Sequence, residues 1–426
     1  MRRVFRTIAL MLVCAVSFLW TAMAAQTPKA SEEMRGVWVS SVYNLDYPKK
    51  PTTDSDTLKA QADEILDNCV KWGLNTVFLQ VRPSSDALYP SEIFPWSKYL
   101  TGKQGIEPEN GFDPLAYWVK EAHKRGLELH AWINPYRITK GKQAEWDSLA
   151  SSHPAKKNPE WTVQYTDGNY YFDPGVPEVR DLVVQGAVEI AKNYQIDGLH
   201  MDDYFYPGKD FPDSKTYEAY GKGFSDLADW RRENVNQLVR QLDTELHQIR
   251  KELQFGISPS GIWANRSTDP RGSNTNGSEH YVSNYADSLY WIEHGLVDYI
   301  IPQIYWEIGH QLADFATLAD WWNQAVKGDV KLYIGMGAYR CADNPTGVWK
   351  TTDPLFASMD YLKGKQNVSG CVFFRYGSIP AVSGMANRLT AWYAADTQTQ
   401  QGTPTESLEP QSFSQVLGQF LLSMIQ

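Results

Sequence analysis

Two consecutive carboxyl groups, Asp202 and Asp203, close a short apolar run at residues 198–201 and lead directly into Tyr204, Phe205 and Tyr206. A third carboxyl, Glu307, follows Tyr305 and Trp306 in a similar setting, and a fourth, Asp86, lies just beyond Arg82. Paired carboxyls flanked by aromatic rings suit cleavage of a glycosidic bond. One carboxyl protonates the departing oxygen, and the other attacks the sugar carbon or activates water. The rings suit the flat apolar faces of sugars. Asp202 and Asp203 have two other readings, a metal site or a helix-capping pair.

These residues need elements to position them. Eight short apolar runs recur along the chain, at 36–40, 76–81, 127–133, 198–201, 254–258, 299–304, 331–336 and 370–374. Each is followed by a segment with helical spacing, at 55–72, 113–125, 177–194, 224–253, 287–294, 312–326, 353–364 and 380–393. The first of these repeats Leu58, Ala62, Ile65, Leu66 and Cys69 on one face and stops at Gly73. The second opens on Asp113 and Pro114, a cap followed by a proline at the first helical position. Eight strand–helix repeats predict an α/β fold, a (β/α)₈ TIM barrel with long loops at its C-terminal face. A doubly wound open sheet competes, but no glycine-rich phosphate loop follows the first strand. The long connections 82–111 and 134–174 both follow strand ends, where a barrel builds its cleft.

Alternate residues of a barrel strand point inward. In the fourth strand Leu199 and Met201 suit the helix layer, so His200 and Asp202 are expected inside. The same count places Gln80 and Arg82, His130, Trp132 and Asn134, Ser258 and Ser260, and Gln303 and Tyr305 on the inward parity. Polar groups buried without partners cost roughly 1–3 kcal/mol each, so five polar strand ends together point to a polar pocket rather than a core. His130 taken alone reads as a satisfied core histidine. Asp202 is the expected catalytic carboxyl. Asp203 should point differently and pair with Arg82, Arg137 or a substrate hydroxyl. Glu307 is the expected proton donor, beside apolar rings that would favour its protonated form. Arg82, Trp132, Asn134, His200, Tyr204, Trp263, Gln303, Tyr305 and Tyr339 are the expected substrate-binding residues, with Phe205, Tyr206, Trp306 and Tyr376 as further aromatic candidates.

Composition sets outer bounds. The 426 residues are 42% hydrophobic, enough for one large barrel core, and 13% aromatic, with 16 Trp and 24 Tyr. A formal net charge of -10 argues against nucleic acid, whose phosphates need a basic surface. Residues 1–24 read as a signal peptide: Arg2, Arg3 and Arg6, an apolar run at 8–20, then Ala22, Met23 and Ala24 as a cleavage site. The apolar run is short for a membrane span. Cys14 lacks the small residues that lipoprotein processing needs before it. The barrel should fill 33–394, and 395–426 read as a flexible linker and short tail, with a candidate amphipathic helix at 413–425. Cys69, Cys341 and Cys371 remain after the signal, allowing one disulfide at most and offering no metal-ligand spacing. No metal and no cofactor are expected.

The segments 34–39, 75–82, 129–135, 197–207, 256–263 and 298–305 occur in order at successive strands. Together they resemble the glycosyl hydrolase-like 10 family, which includes a divisome-localised glycosyl hydrolase of the bacterial envelope. The resemblance spans roughly 33–393. It implies a TIM barrel and an exported glycoside hydrolase, in the periplasm or secreted. For the division-associated member it implies cleavage of peptidoglycan strands stripped of their stem peptides, with envelope or division proteins as partners. That member is an outer-membrane lipoprotein, whereas this chain carries an ordinary signal. Two other classes remain open: a non-catalytic glycan-binding barrel acting as an envelope scaffold, and a metal-dependent deacetylase or lyase using His200 and Asp202. The last needs a third ligand at metal spacing, which the sequence does not offer.

Overall fold

The computed structural model describes residues 33–401, with side chains to residue 395. The expected signal at 1–24, Cys14 and the segment 402–426 lie outside the described residues.

The eight expected strands form, all parallel, and close on themselves. They are β1 (Met34–Val39), β2 (Thr76–Arg82), β3 (Glu128–Ile133), β4 (Gly198–Met201), β5 (Gln254–Ile257), β6 (Tyr299–Ile300, resumed at Gln303–Ile304), β7 (Lys331–Met336) and β8 (Val368–Phe373). Each pairs with its successor, and β8 returns to β1. The break in β6 falls at Pro302, which has no N–H to donate, yet the register with β7 is the same on both sides.

Helices cover the outside: α1 (Ser55–Lys71), α2 (Pro114–Lys124), α3 (Pro177–Asn193), α4 (Leu227–Ile249), α5 (Ser288–Glu293), α6 (Phe315–Ala325), α7 (Asp353–Leu362) and α8 (Met385–Gln401). Five of their starts carry aspartate caps: Asp54, Asp113, Asp226, Asp287 and Asp314 each accept hydrogen bonds from first-turn N–H groups. The cap at Asp226 explains why α4 begins three residues later than its apolar spacing suggests. α8 starts later than expected because the stretch from 378 is taken by a separate turn, Ser378–Ala381.

Two apolar layers result. Val37, Val77, Leu79, Leu129 and Leu199 face the helices, while Met34, Trp38, Phe78, Trp132, Tyr299, Tyr333 and Val372 fill the barrel interior. Large interior rings need small residues opposite them. A Cβ on Gly198 would lie 2.2 Å from the His130 ring, and one on Gly256 would lie 2.2 Å from the Tyr299 ring. The cysteines Cys69, Cys341 and Cys371 are free and buried. No helix among the described residues is long and apolar enough to cross a membrane.

The two long connections stand at the C-terminal ends of β2 and β3, as expected. The second contains a hairpin, Thr162–Gln164 against Tyr170–Phe172. Asp86 is buried within the first, where its carboxyl accepts from the Ser84 N–H at 3.2 Å. Burial raises its pKa to about 6, against the hydrogen bonds of Ser97 and Gln104. It is a loop-holding group, not a carboxyl open to the mouth.

Candidate active site

Asp202 sits at the end of β4, only 4% exposed, with both oxygens engaged. Asn134, one residue past β3, donates its amide to Oδ1 and Oδ2 at 3.0 and 3.1 Å. The orientation of that amide is fixed, because its Oδ1 accepts the Arg137 N–H at 2.9 Å. The Trp132 indole donates to Oδ2 at 3.1 Å, and the Tyr204 N–H reaches Oδ1 at 3.3 Å. Burial raises the Asp202 pKa to about 6; the Arg137 charge opposes this, and the adjacent Asp203 adds to it.

Asp203 turns away from Asp202 and is partly exposed. Ser260 donates to its Oδ2 at 3.3 Å. Burial raises its pKa, opposed by hydrogen bonding from Gln303, its own backbone and Ser260, and by the charge of Arg137. His280, for which the sequence offered no signal, lies 2.9 Å from the Asp203 carbonyl through Nε2. Burial lowers the His280 pKa to about 4, so the ring is neutral and Nε2 carries the donated proton.

Beneath this layer a chain of buried rings crosses the barrel. The Trp38 indole can only donate, and it donates to His200 Nε2 at 3.1 Å. The His200 proton is therefore on Nδ1, which faces the Tyr299 hydroxyl at 3.3 Å. That hydroxyl also lies 2.9 Å from His130 Nδ1, which extends the chain across the barrel. Burial, with the neighbouring His130, holds His200 far below the ordinary histidine range, so it is neutral. Its free lone pair is committed to Trp38, which leaves none for a metal. Among the described residues, no group of three or more His, Cys, Asp or Glu side chains could hold a metal ion.

Several expected contacts are relocated. A β-bulge puts Arg82 opposite Ile133, where an unbroken register would put it one residue further along. One extra residue reverses the facing of everything beyond it. Arg82 therefore points into the helix layer, with its guanidinium 4.2 Å from the centre of the Phe94 ring and directly over Gly186 of α3. It reaches neither Asp203 nor the mouth. Trp263 is fully buried outside the barrel, stacked on Trp321 at 5.9 Å and donating to Asp287 at 3.0 Å. Phe205 and Tyr206 are wall packing, and Tyr376 stacks on Trp72 behind β8. Trp132, Asn134 and His200 are inside as expected, but they are buried: the first two hold Asp202, and the third lies below it. Gln80 clamps the loop after β1 by accepting the N–H groups of Ser41 and Val42.

What remains open at the mouth is Asp203 with Tyr204, Gln303, Tyr305, Tyr339 and Trp306, all at least partly exposed. Tyr305 stacks on Phe374 at 5.9 Å and meets the edge of Tyr339 at 5.6 Å. Two cations join them from the loop after β3. The Arg137 guanidinium lies 4.4 Å from the Tyr204 ring centre, and the Lys140 ammonium 5.7 Å. Lys140 was not legible as a site residue, because it lies beyond the strand, where parity no longer applies. Glu307, on the loop after β6, accepts the Trp349 indole N–H at 2.8 Å. That tie holds it to the loop after β7 and not to the Asp202 cluster.

A closed parallel barrel with a clamped carboxyl at the end of β4 and an aromatic mouth defines a glycoside-hydrolase type of barrel. Solved structures agree on the fold. An endo-β-1,4-mannanase from Thermotoga petrophila superposes with a TM-score of 0.54 at 11% identity, over 88% of this chain and 79% of the mannanase. The PgaB (BpsB) glycoside hydrolase domain from Bordetella bronchiseptica does so at 0.53 and 14% identity, over 84% and 98%. The sequence is more specific: the chain belongs to the glycosyl hydrolase-like 10 family, matched over residues 33–350. It is 45% identical to the glycosyl hydrolase YngK of Bacillus subtilis, across 81% of this chain and 68% of that one. It is 38% identical to the glycosyl hydrolase DigH of Escherichia coli K12, across 82% and 84%. The protein is a glycoside hydrolase.

Proposed function

We propose that this hydrolase is exported through its signal and cleaves glycan strands of the cell envelope, in particular peptidoglycan freed of stem peptides. The clamped Asp202 carries the catalytic reading. With a pKa of about 6 it is ionised at neutral pH. Its oxygens are fixed by four N–H contacts, ready to face a sugar carbon that gains positive charge, or a water that must be activated. Its partner must stand across the scissile bond, roughly 5–9.5 Å away. Asp203 is adjacent in the chain and electrostatically coupled to Asp202, which suits it to hold a substrate hydroxyl. Glu307 comes from a loop two strands further round, without touching Asp202, and is the proposed proton donor. The peptide-free substrate rests on the family resemblance and on a mouth rimmed by Tyr204, Tyr305 and Tyr339. Envelope or division proteins are the proposed partners.

The test is digestion of peptide-free and peptide-bearing peptidoglycan by the purified protein, with analysis of the released fragments. Soluble glycan fragments should come from the peptide-free strands. Asp202→Asn and Glu307→Gln should each stay folded and lose at least a hundredfold in rate, on the order expected for general acid–base groups. Full turnover by Glu307→Gln would remove it as the donor. Preference for peptide-bearing material would refute the substrate.

A further inference from the structure

The loop after β1 carries a residue that neither the fold nor the catalytic reading requires. Tyr43 is 58% exposed, the most exposed of the large hydrophobic side chains among the described residues. Its backbone is left-handed, with φ 57° and ψ 14°, and so is that of Asn44, with φ 54°. Asparagine tolerates that region; a bulky aromatic residue is a true outlier there. The strain persists because the surroundings over-determine the loop. Gln80 Oε1 accepts Ser41 N–H and Val42 N–H at 3.1 and 3.0 Å. Asp46 accepts Ser40 N–H at 2.9 Å and is itself held by Arg375 and by Gly377 N–H. The Asn44 amide spans the carbonyls of Pro48 and Tyr99. The Tyr43 ring leans edge-on over Tyr99, with centroids 6.2 Å apart, and leaves its outer surface to solvent.

This rigid, strained presentation happens at the C-terminal end of the barrel, where substrate enters. Tyr43 is also within electrostatic reach of Tyr204, the other strongly exposed aromatic beside the catalytic carboxyls. Among the described residues, the edge contact with Tyr99 is the one ring contact Tyr43 makes, and glycine would fit the backbone without strain. Strain of this kind gathers at ligand-binding positions.

We propose that Tyr43 is a substrate-positioning platform: a pyranose unit of the bound glycan chain stacks on its exposed ring and orients the chain across Asp202. This rests on the protein's action on glycan strands. Ring burial acts as uniform binding, so it should appear in KM and not in kcat.

The experiment compares wild type, Tyr43→Gly and Tyr43→Phe on soluble peptide-free glycan strands for turnover. Insoluble strands of the same preparation are used for co-sedimentation, and Tm is measured alongside. Tyr43→Gly should raise KM about tenfold, the loss that a ring face of this size supports, with kcat nearly unchanged. It should melt no lower than wild type, because the strain is removed. Tyr43→Phe should keep the wild-type KM, since the ring and not the hydroxyl makes the contact. Wild-type KM and sedimentation in Tyr43→Gly would overturn the proposal. So would weaker binding accompanied by a fall in Tm of several degrees, which would make Tyr43 a loop-holding residue. If wild type sediments with strands but does not cleave them, the substrate reading fails, while loss of sedimentation in Tyr43→Gly still supports the platform. If wild type neither binds nor cleaves, both fall.

Discussion

Trp132→Phe isolates one donor to the proposed catalytic carboxylate. The substitution keeps a ring in the barrel interior but removes the indole N–H that reaches Asp202 Oδ2 at 3.1 Å. Hydrogen bonds to charged groups contribute roughly 1.5–3 kcal/mol, and about 1.36 kcal/mol corresponds to one pKa unit. Losing a donor to the ionised form must raise the Asp202 pKa, from about 6 in the wild type, by roughly one to two units. The fraction ionised at pH 7 then falls roughly two- to tenfold. The assay is the pH profile of kcat/KM on peptide-free glycan strands, which reports groups of the free enzyme. The acid limb should move up by one to two units while the rate on the plateau is largely kept. An acid limb that stays in place would refute Asp202 as the titrating carboxylate. A shift of the alkaline limb instead would mean that Asp202 works in its protonated form, and the roles assigned to Asp202 and Glu307 would have to be exchanged.

Asp202→Asn should also report on stability. The folded-state pKa is raised, so ionising Asp202 costs the fold free energy as pH rises from the ordinary carboxylate range to about 6. The asparagine variant should therefore gain in Tm at pH 7 and lose that gain near pH 4, with a ceiling of about 3 kcal/mol reduced by the donor left facing the new amide. An equal Tm difference at both pH values would contradict the burial argument. Arg82→Met keeps most of the buried volume over Phe94 and should cost less than about 1.5 kcal/mol by denaturant unfolding, with KM unchanged. A raised KM would return Arg82 to the substrate site.

The barrel was legible because its signals are local and repeated. Eight apolar runs, each followed by a helix, leave few alternatives, and the cap at Asp113 is visible in the bare sequence. Parity along β4 also placed His200 and Asp202 on the interior side, since nothing interrupts that strand. It failed for Arg82 because the bulge that turns it outward is a property of the β2–β3 pair: two residues of one strand face one of the other. No count along a single strand can detect it. Trp263 was misplaced for a related reason. The chain leaves the sheet after β5, and an aromatic beyond the last ladder bond can turn either way.

The sequence by itself determined the fold, the family and the place of the leading carboxyl, because strand alternation, helix caps and ordered motifs act over a few residues. Only the tertiary structure decided what surrounds that carboxyl. The Asn134 and Trp132 donors, the tautomer of His200 set by Trp38, and the exposed left-handed Tyr43 all depend on groups brought together from distant strands. Proton affinity and exposure are sums over such neighbours, and a linear chain does not carry the sum until it folds.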